Sequence, residues 1–318
     1  MAETKVVKYR LPKQESYGLS TDSKTNPTSG TVGAKWFEQD IGNIFKWFGA
    51  SWFQTHSSGR LMVTDPMIDI SDGIVTGKKA VNKFGRAPSG TQTTATDIWD
   101  RSDASATQQI WLAPTAARIH TIASDSASDV SGGTGATTVI VSYLPDWDTA
   151  ETTETVSGNI NAGIAMNNAA VMIHRMKVVP QATSTTPNVG TITATAATDA
   201  TITAAILPGE GQTQMAIYGI PSTQTLEVKN FYASLNKGSA AAGTINFSPV
   251  VNPNPDVQTL AFIVKNTRGL QSTGTSEDTF PFDPPWKITG PAIIKIQGIA
   301  SASDIEASAG FNGVVVDN

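Results

Sequence analysis

From Phe84 onward the chain is a succession of short runs rich in Thr, Val, Ile and Ala, each closed by turn residues. No other feature constrains the fold as strongly. Such runs occupy 108–113, 117–123, 136–144, 168–178, 190–196, 201–207, 213–219, 224–235, 243–251, 259–265, 291–298 and 311–316. Ser131-Gly-Gly-Thr-Gly135, Pro208-Gly-Glu-Gly211, Asn252-Pro-Asn-Pro255 and Pro284-Pro285 bound nearly all of them. Many short strands about 8–12 residues apart, punctuated in this way, mean a sandwich or barrel. Helical periodicity is nearly absent. The segment 160–170 (INAGIAMNNAA) has room for a turn or two of helix, and its Asn and Gly argue against more. No heptad pattern is sustained, which excludes a coiled-coil shaft. The expected fold is therefore all-β, an antiparallel, jelly-roll-like β-sandwich over 84–318. Within it, Thr191-Ile-Thr-Ala194 recurs as Thr201-Ile-Thr-Ala204. This echo reads as the two arms of one hairpin, with paired Thr residues on its wet face.

The region before this domain has three parts. Residues 1–30 are polar and broken by Pro12, Gly18, Pro27 and Gly30, the composition of an extended arm. Residues 31–56 hold three of the seven tryptophans and four of the eleven phenylalanines, with turn signals at Asp40-Ile-Gly42 and Phe48-Gly-Ala50. Strands at 34–39, 43–48 and 51–54 would make a three-stranded meander with aromatics on both faces. So small a sheet cannot bury both faces against itself. Each aromatic carries ~150–250 Å² and about 1.5–3 kcal/mol of burial free energy toward a partner surface. That partner is either the chain's own larger domain or another protein. Trp36, Phe37, Phe45, Trp47, Phe48, Trp52 and Phe53 are the candidate interface residues. Residues 57–83 read as a linker.

Composition narrows the function classes. Lys and Arg total 22 against 27 Asp and Glu, a formal charge of −5. Proteins that wrap nucleic acid instead cluster cations against phosphates. The densest basic groups, Lys5–Lys8–Arg10 and Lys78–Lys79–Lys83, are small and read as solvated arm and linker. The absence of cysteine excludes disulfides, thiolate-bound zinc and a thiol nucleophile. The first residues are charged where a signal peptide needs an apolar core, and no apolar run approaches the ~18 residues of a membrane span. No membrane partner is expected.

No catalytic constellation emerges. The three histidines, His56, His120 and His174, show no metal-ligand spacing; the last two alternate with apolar residues on strands, as core or interface histidines do. A G-x-S-x-G elbow is missing. Gly73-Ile-Val-Thr-Gly77-Lys-Lys79 is one residue short of a phosphate loop and has Lys79 where Ser or Thr must hold magnesium. Asp125 and Asp129 share one Ser/Asp-rich loop, and Asp146 and Asp148 flank Trp147. Asp125, Asp129 and Trp147 are the candidate surface-recognition residues, with exposed acidic turns the simpler reading. The expectation is no enzyme, no cofactor and no metal.

Several elements of the long domain, in this order, resemble a family of virion structural proteins of tailed bacteriophages, including marine phages. They are Phe84-Gly-Arg86, Asp97-Ile-Trp-Asp100, Ile110-Trp-Leu-Ala-Pro114, Asn188-Val-Gly-Thr-Ile-Thr193, the segment 208–218 (PGEGQTQMAIY), Gly269-Leu-Gln-Ser-Thr-Gly274 and Ala309-Gly-Phe311. Separately, residues 25–54 resemble a small aromatic hairpin module common in phage structural proteins, with Glu38, Asp40, Gly42 and Trp52 at its recurring positions. The resemblance implies a virion structural protein and supplies no catalytic residues.

The resemblance points to a virion and not to a position in it; the compact length and missing shaft favour a head-associated component, capsid decoration or short head fibre, that docks through its N-terminal module. It would be assembled in the host cytoplasm and partnered by other virion proteins, and copies on a lattice favour a homo-oligomer, with a trimer expected. The alternative is a short tail fibre, fibre adaptor or receptor-binding protein touching a host glycan or receptor. A glycan-binding protein or carbohydrate-active enzyme is the third reading.

Overall fold

The computed structural model describes residues 15–18, 34–38, 44–47, 52–56, 66–91, 94–101, 109–181, 186–237, 243–256, 262–302 and 305–318. The chain forms two compact units, Met1–Asp72 and Gly73–Asn318. The boundary falls inside the stretch expected to be a linker, which holds a short helix and the start of a strand. A short helix, α1 (Pro66–Ser71), belongs to the first unit, and a long strand of the second begins at Lys78.

Unit 1 is a sheet of β1 (Glu15–Gly18), β2 (Lys35–Glu38), β3 (Ile44–Trp47) and β4 (Trp52–His56), in that spatial order. β2, β3 and β4 form an antiparallel meander, with Trp36 opposite Phe45 and Trp47 opposite Trp52. β1 comes from the expected arm and pairs in parallel with β2, Glu15 opposite Lys35. It occupies the sheet edge that a three-stranded meander would leave unpaired.

Unit 2 contains β5 (Lys78–Thr91), β6 (Thr96–Asp97), β7 (Arg118–Ser124), β8 (Thr138–Leu144), β9 (Thr152–Ser157), β10 (Ile164–Ala170) and β11 (Met172–Val178). It continues with β12 (Ile192–Ala196), β13 (Ile202–Ile206), β14 (Ile217–Ile220), β15 (Gln224–Lys237), β16 (Thr244–Asn252) and β17 (Ile263–Val264). It closes with β18 (Arg268–Gln271), β19 (Glu277–Thr289), β20 (Ala292–Ala300) and β21 (Ile305–Asp317). The strands form four sheets, β10-β7-β12-β13, β11-β8-β9, β19-β15-β21-β5, and β14-β20-β16-β17 with β18 on β16 and β6 on β20. Their pairings are antiparallel, and the unit is an all-β sandwich protein. No helix among the described residues is long and apolar enough to cross a membrane.

Two cores replace the single expected one. The first lies between the β21 and β20 sheets, around Phe231, Phe247, Phe311 and Ile296. The second lies between the β7 and β8 sheets, around Trp111, Ile122, Val141 and Ile173. Between Trp99 and Met215, which pair in an isolated antiparallel bridge, the chain leaves the first sandwich, builds the second and returns. The β20 sheet serves both cores. Ala216, Tyr218 and Ile294 point to the first, while Met215, Ile217 and Ile293 point to the second. That is why 213–219 reads as a nearly continuous apolar run rather than an alternating one. Gly85 on β5 lies against this junction: a Cβ there would stand 2.2 Å from the Ile98 carbonyl oxygen and 2.5 Å from the Ala216 nitrogen. Only glycine lets the backbones come so close.

Local differences have local causes. β12 and β13 form the hairpin read from the sequence echo, but its threonines do not pair with one another. Thr193 faces Ala205, Thr195 faces Ile202 across a register shift, and Thr203 is buried, its hydroxyl donating to the Ala194 carbonyl at 3.4 Å. The run 108–113 is irregular over its described residues, and there Trp111 serves as a plug. Its backbone N–H donates to Asp97 at 2.7 Å and its indole N–H to the Thr203 carbonyl at 2.9 Å. In 160–170, one 3₁₀ turn (Ile160–Ala162) precedes strand β10.

Candidate functional site

The recognition candidates separate once their surroundings are known. Trp36 is 5% exposed and meets Trp52 edge to face at 6.5 Å, so it belongs to the interior and not to a free docking face. Trp52 is half-buried. The side chains of Phe37, Phe45, Trp47 and Phe53, and all of Phe48, lie outside the described residues.

Asp129 is not a surface acid. It is fully buried, and its carboxylate accepts from the Ser124 hydroxyl at 2.5 Å and from the backbone N–H groups of Ala136, Gly190 and Val189 at 2.7, 2.9 and 3.0 Å. Burial opposes its ionisation, yet these donors outweigh it and hold the carboxyl below its usual range. Gly135 is required beside it, since a Cβ there would stand 1.9 Å from Oδ1. Asp125 is exposed and accepts from the Thr191 N–H at 2.8 Å. Trp147 is half-buried between the exposed Asp146 and Asp148, and it packs against the second core.

The strongest concentration of titratable side chains lies elsewhere, in a cleft of about 290 Å³ between β5 and the second sandwich. His174 on β11 is 2% exposed. Its Nδ1 is 2.5 Å from Glu151 Oε2, and its Nε2 accepts from the Gly219 N–H at 3.1 Å. The second bond fixes the tautomer: the ring proton sits on Nδ1 and is donated to Glu151. Tyr218 stacks on the imidazole, centroids 4.1 Å apart. Lys79 reaches the other Glu151 oxygen at 2.6 Å. Burial holds the His174 pKa down despite Glu151. Burial would raise Glu151, but the His174 hydrogen bond and the Lys79 charge keep it well below the carboxylate range. Burial, and then the negative charge of Glu151, push the Tyr218 phenol up.

Lys83 completes the cleft. It is 4% exposed, and its ammonium donates to the His174 carbonyl oxygen. Burial, reinforced by the nearby Arg175 charge and only partly offset by Glu151, lowers its pKa to about 7. The reading of Lys78–Lys79–Lys83 as a solvated linker is thereby corrected in part: all three lie on strand β5, Lys78 and Lys79 are exposed, and Lys83 is buried. On β5, Val81, Lys83, Gly85 and Ala87 form the buried alternate set. Arg175 donates to the Asn82 carbonyl at 2.9 Å and lies 5.7 Å over the Phe84 ring.

This geometry does not make His174 a general base, because a base must offer a nitrogen to substrate and both of its nitrogens are engaged. The dyad instead ties β11 to β14 and to the Glu151 loop. A second buried cross-link lies nearby in kind: Lys295 and Asp97, 1% and 0% exposed, pair at 2.7 Å, with Gln297 donating to Asp97 at 2.9 Å. Among the described residues no group of three or more His, Asp or Glu is placed to hold a metal ion.

No family model matches this chain, and no curated protein does. The site's chemistry therefore rests on its own residues. His120 is a buried strand histidine whose Nδ1 lies 3.0 Å from the Arg118 carbonyl. The Gly73–Lys79 segment leads into strand β5 and not into a helix, so it offers no helix N-terminus to a phosphate.

Proposed function

We propose that this chain is a structural component of a tailed-bacteriophage virion, head-associated, that docks through its aromatic N-terminal unit and presents the two-core β unit to solvent and neighbouring subunits. One observation carries this reading: three sets of buried polar side chains in unit 2 are spent on joining separate segments of the chain. Asp129, the Asp97–Lys295 pair and the His174–Glu151 dyad all join separate segments and leave no free nucleophile–base pair among themselves. A rigid, cross-linked body of this kind suits a particle component. The sequence resemblance points the same way, and copies on a lattice would assemble as a homo-oligomer, a trimer in the simplest case.

The test is a count. Quantitative mass spectrometry of purified particles, scaled to the major capsid protein, is expected to return a ratio near that of a decoration protein. Complete absence from particles would sink the proposal. Replacing Trp47 and Trp52 by Ala is expected to leave unit 2 folded by circular dichroism while the protein fails to enter particles; normal incorporation of the folded double variant would remove the anchoring role.

One feature favours a second reading, a short tail fibre, adaptor or receptor-binding protein. Trp147 is half-buried between two exposed acids, a surface suited to a host glycan. A few copies per particle, in place of many, would support it.

A further inference from the structure

Lys83 and Arg175 present a chemical imbalance that the fold does not use. Both lie on the cleft between β5 and the second sandwich, and the hydrogen bonds described for them go to backbone carbonyls, of His174 and Asn82 respectively. The carboxylate at hand is Glu151, and its two oxygens are already taken by Lys79 and by His174. An ammonium has three N–H donors, so a Lys83 that gives one to a carbonyl retains two. A desolvated cation without a counter-charge is strongly unfavourable. The volume of about 290 Å³ far exceeds the ~10–15 Å³ that a single water requires. Ser142 on the wall adds a hydroxyl donor. Two cations, a neutralised carboxylate and polar donors at the edge of a strand describe a receptor for negative charge.

We propose that this cleft binds a small dianionic oxyanion of the phosphate class, seated between the Lys83 ammonium and the Arg175 guanidinium. The guanidinium offers its planar N–H fork to two oxygens, and the lysine supplies a point charge from the buried side. Bound anion would favour the protonated Lys83, against the burial and the Arg175 charge that lower its pKa to about 7. Glu151 remains paired with Lys79 and does not oppose the ligand with a free charge. The His174 imidazole stays neutral and Tyr218 stays a phenol. This inference is independent of the virion reading.

The experiment is thermal unfolding of the full chain with inorganic phosphate titrated against chloride at matched ionic strength. The expected result is a saturable rise in Tm for the wild type. Arg175→Gln should weaken the apparent phosphate affinity about tenfold or more, the loss of one charge-assisted contact, and Lys83→Met should abolish the response. Lys177→Gln, which removes an exposed cation two residues away on the same strand, should leave it intact. Acetate should be weaker than phosphate by a similar factor. A response that does not saturate, that equals the acetate response, or that persists in both cleft variants would overturn the site. Where Lys83→Met does not fold, Arg175→Gln carries the comparison. Broadening of the phosphate ³¹P resonance by wild-type protein, reversed by sulfate, provides a readout that does not depend on stability. A parallel arm with glycerol phosphate separates the sources: competition assigns the head of a monoester, and exclusion assigns the free ion.

Discussion

Asp129 and Lys83 are both buried, yet they carry opposite consequences for stability. Asp129 is surrounded by donors that favour its charge, so its folded pKa lies below the unfolded value of ~3.9. Its contribution is complete above about pH 4 and is lost as pH falls through the lowered folded value. Asp129→Asn would turn an acceptor into a donor facing backbone N–H groups. It is expected to cost about 2–3 kcal/mol by urea unfolding at neutral pH and to flatten the acid limb. Lys83 is the reverse case. Its folded pKa is about 7 against 10.5 for the free group. Between these values the unfolded chain binds a proton that the folded chain does not, so stability rises with pH across that window, by up to about 1.4 kcal/mol per pH unit. Urea midpoints measured across the window should show this rise in the wild type and lose it in Lys83→Met. Saturating phosphate should suppress it too, by lifting the folded pKa.

At the scale of elements, the β20 sheet is the part on which both cores depend. Lys295 lies on it, paired with Asp97 on the adjoining β6. Lys295→Met should cost about 3–5 kcal/mol, because it removes the ammonium that pairs with a buried carboxylate. A chemical denaturation midpoint will show whether it does. How far these elements were legible in the sequence depended on their edges and faces. The β12–β13 hairpin was readable because its two arms repeat a four-residue pattern across a polar turn. β5 was not, because its buried face is Val81-x-Lys83-x-Gly85-x-Ala87 and a lysine and a glycine hide the alternation. β19 escaped for another reason. Pro284 and Pro285 read as breakers, yet the strand lies at the edge of its sheet, where proline is tolerated. The cleft was illegible as a site. Lys79 and Lys83 on β5, the Glu151 loop, His174 and Arg175 on β11, and Tyr218 on β14 are far apart in the sequence, and no local spacing links the four segments. Asp129 reads as a surface acid and is instead buried, since sequence shows a carboxylate but not the backbone N–H groups that converge on it.

For unit 2 as a whole, a sheet with one face in each core couples two sandwiches that would otherwise melt separately. Residues Ile217 and Tyr218, or Ile293 and Ile294, are neighbours in the chain and belong to different cores. Disordering either strand exposes both. Scanning calorimetry of residues 73–318 is therefore expected to show one transition with matching calorimetric and van't Hoff enthalpies, despite the two cores. Two resolved transitions would mean that the sandwiches fold independently.

The pairing of β5 with β21 also sets an order in time. The β7 and β8 sheets draw on neighbouring stretches of chain, so their strands can pair early in synthesis. β5 emerges first and has to wait for a partner ~200 residues downstream, which at ~5–20 residues per second is ~10–40 s of synthesis. During that interval a fourteen-residue strand has no neighbour of its own, and the lysines along it keep the waiting edge soluble. The charges that later close over a buried cleft thus begin as protection for a nascent chain.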